Sequence, residues 1–189
     1  MVVLLLNICC SPCDKDQRYF SVIDMFIRNV ERQPDGTHSF ADLPDGTTMQ
    51  YQSFSIMLTV GVEYLADNST LLNPFLTPVY GCDAPPPLAN DKIEDIELTC
   101  YADFLLASGD TIFAGERLNP YFDVSGEGIT NRSLSEFLNE GNPLLIEEPT
   151  FLSLNTPPVD NQSHRFSVKY RLNNGKRFQA STRSIMILK

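Results

Sequence analysis

The sequence contains no tryptophan and only two histidines, His38 and His164. Without tryptophan it lacks the broadest ring for stacking on sugars. With two histidines in polar settings, a His-centred triad would need a nucleophile motif beside one of them, and neither has one. His38 reads as an exposed loop residue and His164 as a rim residue at the start of the last strand pair. No Gly-x-Ser-x-Gly elbow, phosphate loop or dinucleotide fingerprint occurs. Bases are scarce too: 14 Lys and Arg stand against 24 Asp and Glu, for a formal charge of -10. Such a balance argues against nucleic acid as a partner, because backbone phosphates need a cationic surface. Long apolar runs are missing. Val2-Val3-Leu4-Leu5-Leu6 falls far short of the roughly 20 residues a spanning helix needs.

That short run leads into the densest cysteine cluster, Cys9-Cys10-Ser11-Pro12-Cys13; Cys82 and Cys100 complete the five. An apolar stretch ending at cysteine reads as the tail of an export signal, with Cys9 or Cys10 as the lipidated residue. No Lys or Arg precedes the run, and Asn7 and Ile8 stand where small residues are usual. Lipidation of one cysteine leaves four, enough for two disulfides among Cys13, Cys82, Cys100 and the remaining neighbour. The alternatives are five free thiols or a soft metal held by the first three with Cys82 or Cys100. Adjacent cysteines suit a tetrahedral site poorly, so the expectation is no metal and no cofactor. Asp35 and Asp45 with nearby carbonyls could hold calcium, but neither Asp-Gly-Thr follows the EF-hand pattern.

Residues 1–17 read as signal remnant, lipidation region and tether, and 18–189 as one domain. The apolar pattern is of period two. Phe54, Ile56, Leu58, Val60, Val62 and Tyr64 alternate with Ser55, Met57, Thr59, Gly61 and Glu63, which predicts a strand over 54–64. Phe20, Val22, Asp24 and Phe26 alternate with Ile23, Met25 and Ile27; with both faces apolar, this strand reads as covered twice or central. Pro34-Asp35-Gly36-Thr37 and Pro44-Asp45-Gly46-Thr47 are turns. Ile93, Ile96, Leu98 and Cys100 predict a strand with a slip near Asp95. One helix is expected over about 134–139, capped by Ser133 with Glu136 in the reciprocal position.

The C-terminal hairpin fixes its own turn. A two-residue Asn174-Gly175 loop would put Phe178 opposite Arg171, on the wrong face. A three-residue loop puts Tyr170 opposite Phe178 and Val168 opposite Ala180, with Gly175 left-handed in a G1 bulge. The phase shifts again before Ile185, which predicts a bulge near Arg183 or a change of partner. Many short strands and one short helix predict an all-β, two-sheet β-sandwich, immunoglobulin-like in general architecture, with a β-barrel as the alternative.

Charge is segregated along the chain. Residues 161–189 carry seven bases and no acid, so the preceding 160 hold all 24 acids and seven bases, a formal -17 against +7. Arg165, Lys169, Arg171, Arg177 and Arg183 share the side opposite the aromatics, with Arg165 expected to face Arg183 and Arg171 to face Arg177. Like charges directly opposite are mildly destabilising. Either acids of neighbouring strands neutralise this face, or it meets an anionic glycan, lipid headgroup or protein. Glu94, Asp95 and Glu97 cluster on a strand, and Glu147 and Glu148 precede Pro149. These leave a two-carboxylate glycosidase open, without showing the separation it needs.

Together the leader with Cys9-Cys10 and Cys13, Asp91-Lys92-Ile93 with Ile96, Asn119-Pro120-Tyr121-Phe122, residues 151–158 and residues 166–176 resemble an uncharacterised family of secreted lipoproteins from Bacteroides-type gut bacteria. The resemblance implies export, membrane attachment through lipid and a β-rich domain outside the cytoplasm. It transfers no catalytic residue. In such a host Asp110-Thr111-Ile112 resembles a short O-glycosylation signal. The functional expectation is a non-catalytic cell-envelope module that binds or scaffolds a glycan or envelope protein. An acid-carboxylate hydrolase and a structural or adhesin subunit that pairs through a sheet edge are the alternatives.

Overall fold

The computed structural model describes residues 19–65, 88–126, 129–139, 149–159 and 162–189. Among the described residues the strands are, in chain order, β1 (Tyr19–Glu31), β2 (Thr47–Gln50), β3 (Phe54–Tyr64), β4 (Leu88–Ala89), β5 (Ile93–Cys100), β6 (Phe104–Leu105), β7 (Thr111–Ile112), β8 (Phe122–Gly126), β9 (Ile129–Ser133), β10 (Thr150–Leu154), β11 (Gln162–His164), β12 (Phe166–Leu172), β13 (Arg177–Ser181) and β14 (Ile185–Leu188). The helix α1 (Leu134–Asn139) lies between β9 and β10. Cys9, Cys10, Cys13 and Cys82, the signal remnant, the proline-rich connection and Glu147–Glu148 fall outside the described residues.

The six-stranded sheet β4-β1-β3-β10-β8-β9 faces the three-stranded sheet β13-β12-β5. Side chains from both form one core: Phe20, Val22, Phe54, Ile56, Phe122 and Leu152 on one side, Ile96, Leu98, Phe166, Val168 and Tyr170 on the other. Phe54 stacks on Phe166 across the gap, with centroids 5.5 Å apart. The fold is therefore an all-β two-sheet sandwich of immunoglobulin-like general architecture, not a closed barrel. A third sheet, β11-β14-β2, and the β6–β7 hairpin complete the described strands.

The predicted strand over 54–64 is β3, residue for residue. Its Ser55/Met57 face is also buried at one end, where Met57 clusters with Val30 and Phe151. The faces of β1 differ from expectation. Pairing with β3 shifts between Val22 and Asp24, so Ile23 is a bulge residue that reverses the alternation. Phe20, Val22 and Met25 point inward, while Ile23 and Phe26 are exposed; the second face is covered only at the end of the strand, where Val30 is buried with Met57 and Phe151. Phe26 lies over Gly61 of β3, where an added Cβ would meet its ring at 3.6 Å.

The helix is capped as expected. The Glu136 amide donates to Ser133 Oγ and the Ser133 amide to Glu136 Oε2, both at 3.2 Å. Such a short helix needs its docked side, which Leu134 and Phe137 supply.

The final hairpin has the expected three-residue turn, with Tyr170 opposite Phe178 and Val168 opposite Ala180. Gly175 has φ +84°. The turn is pinned to the rest of the fold. Asn174 Nδ2 donates to buried Asp91 at 2.6 Å, and Lys176 Nζ reaches the Val22 carbonyl at 3.1 Å. An alanine at Gly175 would meet open space, so its cost is purely conformational. Gly175→Ala should lose about 1 kcal/mol in a urea titration and Gly175→Asn less, since asparagine tolerates the left-handed region. Past Ser167↔Ser181 the hairpin turns a corner, and pairing resumes at His164↔Ile185, one residue out of step. The predicted bulge near Arg183 lies there, and β14 also gains β2 as a parallel neighbour.

Candidate functional site

The outer face of β13-β12-β5 is a grid set by register. Arg171 lies between Arg177 and Asp95, Lys169 between Gln179 and Glu97, and Ser167 between Ser181 and Thr99. Lys169 meets the acid opposite it, at 2.7 Å from Glu97. Arg171 does not, because Asp95 is held by the two terminal guanidinium nitrogens of Arg117, at 2.6 and 3.2 Å. Arg117 reaches this face from the loop that bridges to Thr99, and also lies 3.5 Å from Glu97. Its carboxylate partners raise its pKa, with the Asp95 hydrogen bond the largest cause.

Arg171 instead places Nε 3.0 Å from Glu94. Glu94 is free to turn that way because it is the residue skipped in the β5–β12 ladder, whose pairs run Arg171↔Asp95 and then Leu172↔Ile93. The phase slip expected near Asp95 is this bulge. The outer edge of β5 is closed by Asn119, whose side-chain amide accepts from the Leu98 N–H at 3.0 Å and donates to the Ile96 carbonyl at 2.6 Å. In effect it replaces one residue of a missing strand.

Of the five cations expected to form one face, the structure gathers Lys169, Arg171 and Arg177. Arg183 turns to Asp42 at 3.2 Å. Arg165 does not face Arg183, because the ladder ends at Ser181; its guanidinium lies 5.2 Å from the Tyr101 ring centroid. Arg177 has no ion-pair or hydrogen-bond partner among the described residues. Neighbouring acids thus neutralise Lys169, Arg171 and Arg183, while Arg165 and Arg177 have no acid partner among the described residues. Sequence reasoning missed Arg117 and Tyr101.

These side chains line a cavity of about 660 Å³ that includes Asp95, Glu97, Arg117, Lys169, Arg171, Arg177 and Gln179. A second, of about 320 Å³, is lined by Thr99, Tyr101, Ser167, Lys169 and Gln179 among others. The two share Lys169 and Gln179, so they form one open groove across the sheet. Tyr101 closes its far end by hydrogen bonding Ser181 Oγ at 2.8 Å, a contact that lowers its pKa.

The two histidines lie elsewhere. His164 is buried, not on a rim: its ring packs 4.6 Å from Phe104, and Nδ1 is 3.7 Å from Cys100 Sγ. Burial drives its pKa down to about 4 and raises that of the Cys100 thiol. Cys100 is a free thiol in the core. His38 is half-buried, stacked on Phe151 at 3.9 Å, with its pKa lowered to about 4 by burial and by Arg32. Among the described residues no cluster of His, Cys, Asp and Glu is arranged to hold a metal. Asp45 instead accepts from the Ser184 amide at 2.8 Å, and Asp35 from Thr37.

No family model and no curated protein matches the chain. Among solved structures it is similar to the C-terminal domain of the Streptococcus agalactiae antigen I/II polypeptide BspA, at 10% identity over 87% of this chain and 50% of that one, with a TM-score of 0.27. It is also similar to the C-terminal domain of the Streptococcus pyogenes antigen I/II-family protein AspA, at 10% identity over 88% and 47%, with a TM-score of 0.26. The chain spans about half the length of these domains, and likeness at this level carries no argument about function.

Proposed function

We propose that this protein is a non-catalytic binding module of the cell envelope, anchored by lipid at Cys9 or Cys10, whose ligand lies in the groove on β13-β12-β5. The observation that carries this reading is the groove itself: an open concavity over a three-stranded sheet, with Arg177 unpartnered among the described residues beside Arg171. Its carboxylates are engaged by Arg117, Lys169 and Arg171. A glycosidase would need two carboxyl groups turned toward the scissile bond, one as proton donor. Here the acids hold the cations in place, an arrangement suited to recognition.

Two results test the reading. Replacing Cys9 and Cys10 together with Ala should move the protein from the membrane to the soluble fraction. The Arg171→Glu/Arg177→Glu double variant should lose retention on a panel of immobilised glycans while its unfolding midpoint changes little, since exposed ion pairs contribute about 0–1 kcal/mol. Retention unchanged in the double variant would remove the groove from the account.

A further inference from the structure

We infer that the groove takes a glycan chain bearing carboxylate or sulfate groups, one of which sits between Arg171 and Arg177; this rests on the binding-module reading above. The Leu172 amide donates to the Lys176 carbonyl, so in the alternating antiparallel pattern Arg171 and Arg177 form the adjacent, non-hydrogen-bonded pair. Their Cα atoms are then about 4.5 Å apart, with both side chains on the outer face. Two guanidinium groups so placed repel each other unless an anion lies between them. Glu94 offers a carboxylate to Arg171 from the β5 side, and Arg177 has none among the described residues. An incoming carboxylate or sulfate completes the arrangement, with the planar forks of both arginines as donors.

Further along, the groove changes character. Beyond the Lys169–Glu97 pair its lining includes the exposed Gln179 and Tyr101, with the small Ala114 and Gly115 and the buried Ser167 and Thr99 beside them. The Gln179 amide and the Tyr101 ring suit sugar hydroxyls and a ring face. From the Arg171/Arg177 pair to the Ser167/Ser181 pair is four strand residues, or roughly 13 Å, which is the reach of a short oligosaccharide.

The test uses the full chain and three groups of probes: oligogalacturonate (carboxylate) and chondroitin sulfate oligosaccharides (carboxylate and sulfate), amylose oligosaccharides (neutral), and poly-glutamate (charge without sugar). Calorimetry should detect one or both anionic glycans, with affinity falling as salt rises, and neither amylose nor poly-glutamate. Arg177→Glu should weaken binding at least about tenfold. Arg183→Glu, the same charge change outside the groove, should not. Melting curves of both variants show that they fold. Binding of amylose or poly-glutamate that Arg177→Glu or Gln179→Ala abolishes would overturn the anionic-glycan assignment and leave the groove as the binding site. Binding that neither groove variant alters, or no binding by any probe, would overturn this inference, and the former would remove the groove as well.

Discussion

Phe166→Ala should lower the unfolding free energy by about 3–5 kcal/mol, read as a fall in the denaturation midpoint with little change in slope. Phe166 is fully buried where the two sheets meet. Its ring contacts Phe54 at 5.5 Å, Phe122 at 5.7 Å, Phe104 at 6.2 Å and His164 at 6.0 Å. Those partners belong to β3, β8, β6 and β11, so the cavity would open at a point that four separate elements share and that none can fill by moving alone. A loss near 1 kcal/mol would mean that the sheets do not pack face to face at this residue. Phe26→Ala provides the contrast. Phe26 is half-exposed on the outer face of β1 and should cost much less, mostly through the uncovering of Gly61.

Acid should weaken the fold through His164. In the unfolded chain this residue titrates near 6.5, whereas burial among Phe104, Phe166 and Cys100 lowers its folded value to about 4. Above pH 6.5 both states are neutral there and the full stability is present. As pH falls from 6.5 toward 4 the unfolded state takes up the proton first, so stability declines; below about 4 this contribution is exhausted. The shift corresponds to on the order of 3 kcal/mol at most. His38 acts with the same sign and a smaller effect, since its ring is half open to solvent. Urea titrations at pH 7 and pH 4.5 should show the loss. His164→Leu should flatten it, even if that variant is less stable at pH 7. An equal pH slope in both proteins would assign the acid response to the carboxylates.

What could be read from the residues was governed by how clearly the pattern marks a face. In β3 the apolar residues fall on one side for eleven positions, so span and inward face follow directly. The final hairpin is legible for the same reason: only one loop length keeps Tyr170, Phe178, Val168 and Ala180 together. Strand β1 is apolar on both sides, and no Gly or Pro marks the bulge at Ile23, so nothing in its pattern shows where the alternation reverses. His164 was misread because Ser163 and Arg165 make its surroundings polar along the chain, while its neighbours in space are Phe104 and Phe166.

The groove was legible by halves. The pairing of Arg171 with Arg177 follows from the hairpin register alone. Its neutralisation depends on a non-local neighbour, β5, whose alternating Asp95 and Glu97 were the available signal. Arg117 had no such signal, because it reaches the site from a loop.

The most direct test of the account is to observe where a ligand contacts the protein. ¹⁵N-labelled protein titrated with oligogalacturonate or chondroitin sulfate oligosaccharides should show amide shifts concentrated at Lys169, Arg171, Arg177 and Gln179 and fading toward Tyr101. Shifts centred on the outer face of β1 and β3, around Ile23 and Phe26, or no shifts at all, would contradict it.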